Sequence, residues 1–103
     1  MKRLGIIGGM GPAAGARLFT RVTEMTAART DQEHIDAILL SDPSVPDRTS
    51  YLNDSTDACD FVPILQEKAR LLEMLGCEVI AMSCNTAHAG YSEIASAAPH
   101  TQF

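Results

Sequence analysis

A cysteine stands directly after an apolar run, at the point where a buried strand is expected to end. Val79 to Met82 form that run, which is typical of a strand buried on both faces, and Ser83-Cys84-Asn85-Thr86 follows it. If Thr86 caps a helix over residues 87–98, Cys84 lies beside unpaired backbone N–H groups, whose partial positive charge favours a thiolate over a thiol. The sequence therefore predicts a reactive thiol at the end of a strand.

Two other loops carry residues that could bind an anion. Gly8-Gly9-Met10-Gly11-Pro12 follows the first apolar run, and Met10 between glycines is placed to present its backbone N–H to a ligand. Pro46-Asp47-Arg48-Thr49 follows the second run, where Arg48 is either a solvated loop cation or a bidentate clamp for a carboxylate. Its place in a long loop of an acidic chain favours the clamp.

The pattern of apolar residues predicts an α/β fold in which these loops meet. The predicted elements, in chain order, are a strand at 4–7, a helix at 12–29, a strand at 35–40, a long functional loop at 41–60, a helix at 61–75 ended by Gly76, a strand at 77–82, a helix at 87–98 and the start of a fourth strand at 100–103. This order requires parallel strands joined by right-handed crossovers, which gives an open parallel sheet with helices on both faces. Since ligands collect at the carboxyl ends of such strands, we expect the three loops to share one rim.

Length and composition limit the classes of protein to which the chain can belong. Its 103 residues make one domain, residues 1–103, and no apolar run reaches the length of about 20 residues that spans a membrane. The formal net charge of −5 argues against a nucleic-acid partner, and three cysteines without framework spacing argue for reduced thiols. Because Met1-Lys2-Arg3 leads into a strand without a signal-peptide pattern, we expect a cytoplasmic protein.

Two other interpretations of the motifs predict different ligands. Gly9 to Ala14 matches the dinucleotide pattern G-x-G-x-x-A, and Asp42 stands where an acid would bind a ribose. Against this interpretation, Pro12 removes a backbone donor that a pyrophosphate would use. Cys84 and His88 have a spacing that could bind zinc, but the sequence offers no two further ligands at sensible spacing, so no metal is expected.

The remaining sulfur-containing residues and the apolar stripe of the first helix are interpreted as packing residues. Cys59 and Cys77 are expected to be inert, because buried free cysteine behaves as a small hydrophobe. The residues expected to fill the core or cover the sheet are Leu18, Phe19, Val22, Met25, Met74 and Met82.

The three motifs together resemble those of the aspartate/glutamate racemase family. Members of that family carry a Gly-Gly-Met-Gly-Pro-type turn near the start and a Cys-Asn-Thr-Ala-His-type loop after the third strand, here residues 8–12 and 84–88. Pro46-Asp47-Arg48-Thr49 is similar to the substrate loop of aspartate racemases. Because the motifs occur in the family's order over the whole chain, the resemblance is far more specific than any one motif.

The resemblance implies a racemase of an acidic amino acid that uses no cofactor and has its active site between two similar α/β domains. It implies that Cys84 is the first of two acid–base thiols, one from each domain. Asn85 and Thr86 are then expected to hold the α-carboxylate of the substrate. Arg48 is expected to pair with the side-chain carboxylate, and Met10 to contribute through its main chain.

The chain supplies one of the two implied domains and one of the two thiols. Because a fourth strand begins near Phe103, we expect an N-terminal fragment of a longer, homodimeric enzyme; the alternative is a truncated product that cannot racemise. The fragment alone is expected to be inactive and to associate or precipitate, since it exposes sheet edge and domain interface. Lys2 and Lys68, the only lysines, are expected to lie away from the rim, so no pyridoxal Schiff base is suggested.

Other functions stay open at this level. One is an isomerase of another small dicarboxylate, such as a maleate-type isomerase in which Cys84 acts as a nucleophile. Another is a ligand-binding α/β domain without chemistry. For the racemase itself, the loop that contains Arg48 favours aspartate, and glutamate remains the other candidate substrate.

Overall fold

A computed structural model of the chain describes residues 2–48, 52, 60–84 and 86–103, with the backbone alone at Thr86. The strands are β1 (Leu4–Gly8), β2 (Ala37–Ser41) and β3 (Val79–Met82). The helices, numbered over the described residues, are α1 (Pro12–Met25), α2 (Val62–Met74) and α3 (Tyr91–Ser96). Short 3₁₀ turns occupy Asp31–Glu33 and Thr86–Gly90.

The strands form one parallel sheet in the order β2-β1-β3, which confirms the predicted open parallel sheet. Leu4 pairs with Ala37 on one side and with Val79 on the other, and both ladders continue in register. Beyond β3, Gln102 forms a parallel bridge with Val79, and its carbonyl accepts a 2.8 Å hydrogen bond from the N–H of Ile80. This bridge lies where the sequence predicts the start of a fourth strand.

Helices cover both faces of the sheet, as predicted. A Cβ added at Gly5 would meet Leu72 of α2 and Cys77, whereas one added at Gly8 would meet Gly15 of α1. Successive side chains of a strand point to opposite faces, so positions 5 and 8 face opposite sides of the sheet. Therefore α1 and α2 pack on different faces.

Most of the core lies on the α2 face. Its buried cluster includes Ile7, Phe61, Leu65, Ala69, Leu72, Cys77, Ile80, Met82, Ala87, Ile94 and Ala98. Each large aliphatic side chain buried there contributes roughly 1.5–3 kcal/mol of transfer free energy. On the other face, the only buried residue of α1 is Gly15, which lets the helix approach the strand at Gly8. The sheet thus has a deep core on one face and a thin apolar layer on the other.

The two longer helices end differently from each other. The hydroxyls of Thr20, Thr23 and Thr26 each donate to the carbonyl four residues earlier, and Thr26 already has extended backbone angles. Such bonds weaken the helical ladder slightly, and α1 ends at Met25, so its predicted extension to residue 29 is wrong. The predicted end of α2 is confirmed, because Gly76 follows it with a left-handed φ of +85°.

The last helix begins later than predicted. Thr86–Gly90 forms a 3₁₀ turn, and α3 starts at Tyr91 with Gly90 as its N-terminal cap residue. A Cβ on Gly90 would lie 2.8 Å from Cγ2 of Val62, so α2 approaches the chain closely at this glycine. The predicted continuous helix over 87–98, with Thr86 as its cap, is therefore wrong. Glycine is a poor helix former, and the contact with α2 favours a break there.

Two of the three methionines predicted to fill the core are exposed. Met25 is 73% exposed and Met74 is 83% exposed, and each is the last residue of its helix, whereas Met82 in β3 is buried. The prediction was therefore wrong for Met25 and Met74. None of the helices in the described residues has the length and apolar character that a membrane span requires.

Candidate functional site

Three loops follow the carboxyl ends of neighbouring strands and share one rim, as predicted. The N–H of Asp42 donates to the carbonyl of Gly8 over 3.2 Å, and the N–H of Ser83 donates to the carbonyl of Ile7 over 3.1 Å. These bonds extend both ladders by one residue beyond β2 and β3. They hold the loops after β2 and β3 against the glycine turn that follows β1.

The glycine turn contacts the backbone of the loop after β2. Gly9 has a φ of +100°, and a Cβ on it would overlap the backbone N, C and carbonyl oxygen of Asp42. Position 9 therefore has no room for a side chain, and its backbone conformation favours glycine as well. This close approach accounts for glycine at position 9, so the G-x-G pattern does not require a bound phosphate.

Asp42 is the charged centre of the rim. Its Oδ1 accepts hydrogen bonds from the N–H of Ser44 at 2.9 Å and from the Ser44 hydroxyl at 2.6 Å, and its Oδ2 lies 2.7 Å from Nζ of Lys68. The ammonium of Lys68, followed by the two Ser44 donors, holds the pKa of Asp42 well below its usual range. Both oxygens are already engaged by protein donors, which argues against a ribose at Asp42 and hence against the dinucleotide interpretation.

Lys68 reaches this rim, so the prediction that it lies away from the rim is wrong, and with it the argument from lysine positions against a pyridoxal Schiff base. Its side chain is only 15% exposed, and it leaves α2 among the buried Leu65, Ala69 and Leu72. The helical spacing already places Lys68 beside these positions, and a lysine there needs a carboxylate partner. That requirement is the sequence signal for its role, although the spacing alone does not identify Asp42.

The guanidinium of Arg48 folds back over its own loop. Its Nη1 donates to the carbonyls of Val45 and Pro46, both over 3.3 Å. Its Nε is buried and has no hydrogen-bond partner among the residues that the structure describes. A buried N–H without an acceptor is costly, and an anion placed there would satisfy it.

Cys84 lies directly after β3, as predicted, and it is enclosed by other side chains. The residue is 7% exposed and belongs to the same buried cluster as Met10 of the glycine turn and Val45 of the Arg48 loop. The three rim loops therefore contribute to one cluster. The N–H of Met10, predicted to face a ligand, donates to no backbone carbonyl in the described part of the chain.

The structure leaves part of the predicted site untested. Asn85 and the side chain of Thr86, predicted to bind the α-carboxylate, lie outside the described residues. The same holds for Thr49, for Cys59 and for most of the predicted functional loop after Arg48.

His88 contacts the loop that contains Cys84. Its Nδ1 lies 2.6 Å from the carbonyl oxygen of Cys84, and its ring stacks on Tyr91 with 6.2 Å between the ring centroids. The predicted position of His88 beside the site is confirmed, but in a 3₁₀ turn and not in an α-helix. Among the described residues, no group of three or more His, Cys, Asp or Glu side chains is placed to hold a metal ion.

Cys77 lies near the amino end of β3, far along the strand from the rim. It is buried beside Gly5 and Leu72, and this burial raises the pKa of its thiol. A raised pKa favours the neutral thiol, which agrees with its interpretation as an inert packing residue.

Comparison with known proteins identifies the family. The sequence profile of the Asp/Glu/Hydantoin racemase family matches residues 7–100. The structure is similar to an aspartate racemase from Picrophilus torridus, with a TM-score of 0.81 and 38% identity over 90% of this chain and 39% of that chain. An aspartate racemase homologue from Pyrococcus horikoshii OT3 shares the fold, with a TM-score of 0.76 and 22% identity over 100% of this chain and 44% of that chain. The chain spans less than half the length of these two proteins. The resemblance seen in the motifs is confirmed: the chain belongs to the Asp/Glu/Hydantoin racemase family.

Proposed function

We propose that the protein containing this chain racemises an acidic amino acid, most readily aspartate, without pyridoxal phosphate. Cys84 serves as one of two acid–base thiols, and the second comes from a domain beyond this chain. The observation that carries the proposal is the buried Nε of Arg48, which has no hydrogen-bond partner among the described residues, on a loop whose Val45 packs in the same cluster as Cys84. An N–H group able to donate to a carboxylate and a thiol thus belong to loops of one rim.

Racemisation needs two proton-transfer groups on opposite faces of the α-carbon. A thiolate takes the α-proton from one face, and a thiol gives its proton to the carbanion from the other face, which inverts the centre. In the reverse direction the two sulfurs exchange these roles. One thiol cannot reach both faces, so Cys84 supplies one half of the reaction.

The carbanion has to be stabilised, because the α-proton of an amino acid is very weakly acidic. Donors fixed near the carboxylates lower the cost of the added negative charge, and exclusion of water strengthens their effect. The N–H of Met10 and the guanidinium of Arg48 are suited to this task. The burial of Cys84 and Met10 supports a water-poor environment around the reacting carbon.

Selectivity for an acidic side chain rests on Arg48. A planar guanidinium binds a carboxylate through two parallel N–H donors, and Nε is a buried donor that the described protein groups leave unused. The name of the Picrophilus torridus relative, an aspartate racemase, supports aspartate as the first substrate to test.

The decisive experiment replaces Cys84 by alanine in the complete protein. Exchange of the α-proton with solvent deuterium is followed by NMR for L- and D-aspartate separately. We expect Cys84→Ala to abolish exchange for at least one enantiomer, since the base for that face is lost. Cys77→Ala, which removes a buried thiol near the amino end of β3, is the matched control and should leave exchange unchanged. Undiminished exchange of both enantiomers by Cys84→Ala would refute the proposed role.

A further inference from the structure

The ion pair between Lys68 and Asp42 differs from the other ion pairs of the described residues in its shelter from solvent. The side chains of Lys68 and Asp42 are 15% and 29% exposed, and their charged atoms are 2.7 Å apart. The pair of Arg21 and Glu24 on α1 is 60% and 56% exposed. Because solvent screens exposed pairs most strongly, the sheltered pair is the one able to fix the position of a loop.

Asp42 connects that pair to the start of the loop after β2. Its backbone N–H bonds to Gly8, and its carboxylate accepts two hydrogen bonds from Ser44. The carboxylate therefore joins α2, through Lys68, to the first turn of the loop. The position of the Asp42 backbone is fixed at the same time by its close approach to Gly9.

The turn held by Asp42 leads directly to the residues that support Arg48. Val45 follows Ser44 and is buried, and its carbonyl together with that of Pro46 accepts hydrogen bonds from Nη1 of Arg48. The position of the guanidinium thus depends on the backbone of residues 45 and 46. That backbone continues from the turn that Asp42 and Lys68 hold in place.

We propose that Lys68 is a positioning residue, which through Asp42 holds the loop of residues 42–48 so that Arg48 meets the side-chain carboxylate of the substrate. This inference rests on the proposed function, because it assumes that Arg48 binds an acidic substrate. Lys68 itself does not touch the substrate. Its ammonium is neutralised by Asp42, and its effect reaches the site through the loop.

The first test compares steady-state constants of the complete protein with aspartate. Lys68→Met keeps the apolar stem and removes the charge, and we expect KM to rise about tenfold or more while kcat changes by less than about threefold. Lys68→Arg keeps the ion pair and should restore KM to near the wild-type value. Arg70→Met is the matched control, since Arg70 is an exposed cation on the same helix. An unchanged KM for Lys68→Met overturns the proposal.

The second test asks whether Lys68 acts through Asp42. Asp42→Asn should raise KM as Lys68→Met does, and the double variant should be no worse than the more affected single variant, within about twofold. This non-additivity is expected because both changes break one connection. If Asp42→Asn leaves KM unchanged, or if the two effects multiply, Lys68 acts on the substrate by another route and the proposal is wrong.

A third measurement does not depend on activity. Amide hydrogen exchange of Ser44, whose N–H donates to the carboxylate of Asp42, should be faster by about tenfold or more in Lys68→Met and unchanged in Arg70→Met, as read by mass spectrometry of the complete protein. A wild-type protein without racemase activity would contradict the proposed function, yet this measurement would still show whether Lys68 holds the loop. Unchanged exchange in Lys68→Met contradicts that role whatever the protein catalyses.

Discussion

The two ends of the sheet are built from the same parts, a left-handed glycine and an ion pair. At the carboxyl ends of the strands these are Gly9 and the pair of Asp42 with Lys68. Near the amino ends they are Gly76 and the pair of Arg3 with Asp36, whose charged atoms are 3.0 Å apart. Arg3 also donates to the carbonyl of Leu75 and so supports the end of α2.

The difference lies in what surrounds these parts. A Cβ on Gly9 would overlap the backbone of Asp42, whereas one on Gly76 would meet, within the described part of the chain, only Nη1 of Arg3, at 3.1 Å. The side chains of Arg3 and Asp36 are 41% and 58% exposed, well above the values for the rim pair. The carboxyl end is therefore fixed by backbone contacts and a sheltered pair, while the amino end can adjust. The more tightly held end of the sheet is therefore the one that carries the candidate site.

The largest difference between the two ends is expected when a methyl group is added at each glycine. Gly9→Ala should lower the free energy of unfolding by about 3 kcal/mol or more, because left-handed strain and overlap with backbone atoms both apply. Gly76→Ala is the matched control, with an expected loss of about 1–2 kcal/mol from left-handed strain alone. Urea denaturation of the complete protein measures both. Equal losses for the two variants would show that the ends of the sheet are equally adjustable.

The next largest effect is expected in the pH dependence of the stability that the Asp42–Lys68 ion pair contributes. The pKa of Asp42 is lower in the folded chain than in the unfolded chain, so the stability from its ionised form is present above about pH 4. That contribution is lost as the pH falls further, towards the folded pKa. Wild-type protein should therefore exceed Asp42→Asn in urea midpoint at pH 7, and the gap should narrow as the pH falls from about 5 to about 3.

The difference in urea midpoint between wild type and Lys68→Met should narrow over the same pH range. Arg70→Met should follow the wild-type protein at each pH. A gap between wild type and Asp42→Asn that stays constant over this range contradicts the assignment of that stability to the carboxylate of Asp42.

The smallest effect is expected at the exposed pair. Asp36→Asn should lower the free energy of unfolding by less than about 1 kcal/mol, because solvent screens the attraction between Arg3 and Asp36. Urea midpoints at low and high salt measure this, and added salt should reduce the difference further. A loss as large as that for Asp42→Asn would remove the distinction between the two ends.

Local sequence patterns predicted the sheet, its rim and the end of α2. Apolar runs that stop at polar residues located all three strands and the position of Cys84, and a glycine after an amphipathic stretch located the end of α2 at Gly76. These features follow from spacing within one element, which the sequence displays directly.

The features that the sequence did not predict depend on contacts between distant residues. The break at Gly90 reflects the approach of Val62, and the ion pair of Lys68 depends on a partner, Asp42, that follows a different strand. Likewise, helical spacing marks an apolar side of α1 but does not tell where the neighbouring layer stops. The exposure of Met25, at the end of that side, could therefore not be predicted from the spacing. For the site itself, the motifs indicate which residues gather at the rim, whereas the hydrogen bonds that orient Arg48 require the folded loop.

The hydrogen bond between His88 and the carbonyl of Cys84 fixes a tautomer. A carbonyl oxygen can only accept, so Nδ1 must carry the hydrogen and the lone pair of the neutral imidazole is on Nε2. The carbonyl that follows the candidate sulfur is therefore held by an imidazole N–H, so His88 ties the 3₁₀ turn back to the end of β3.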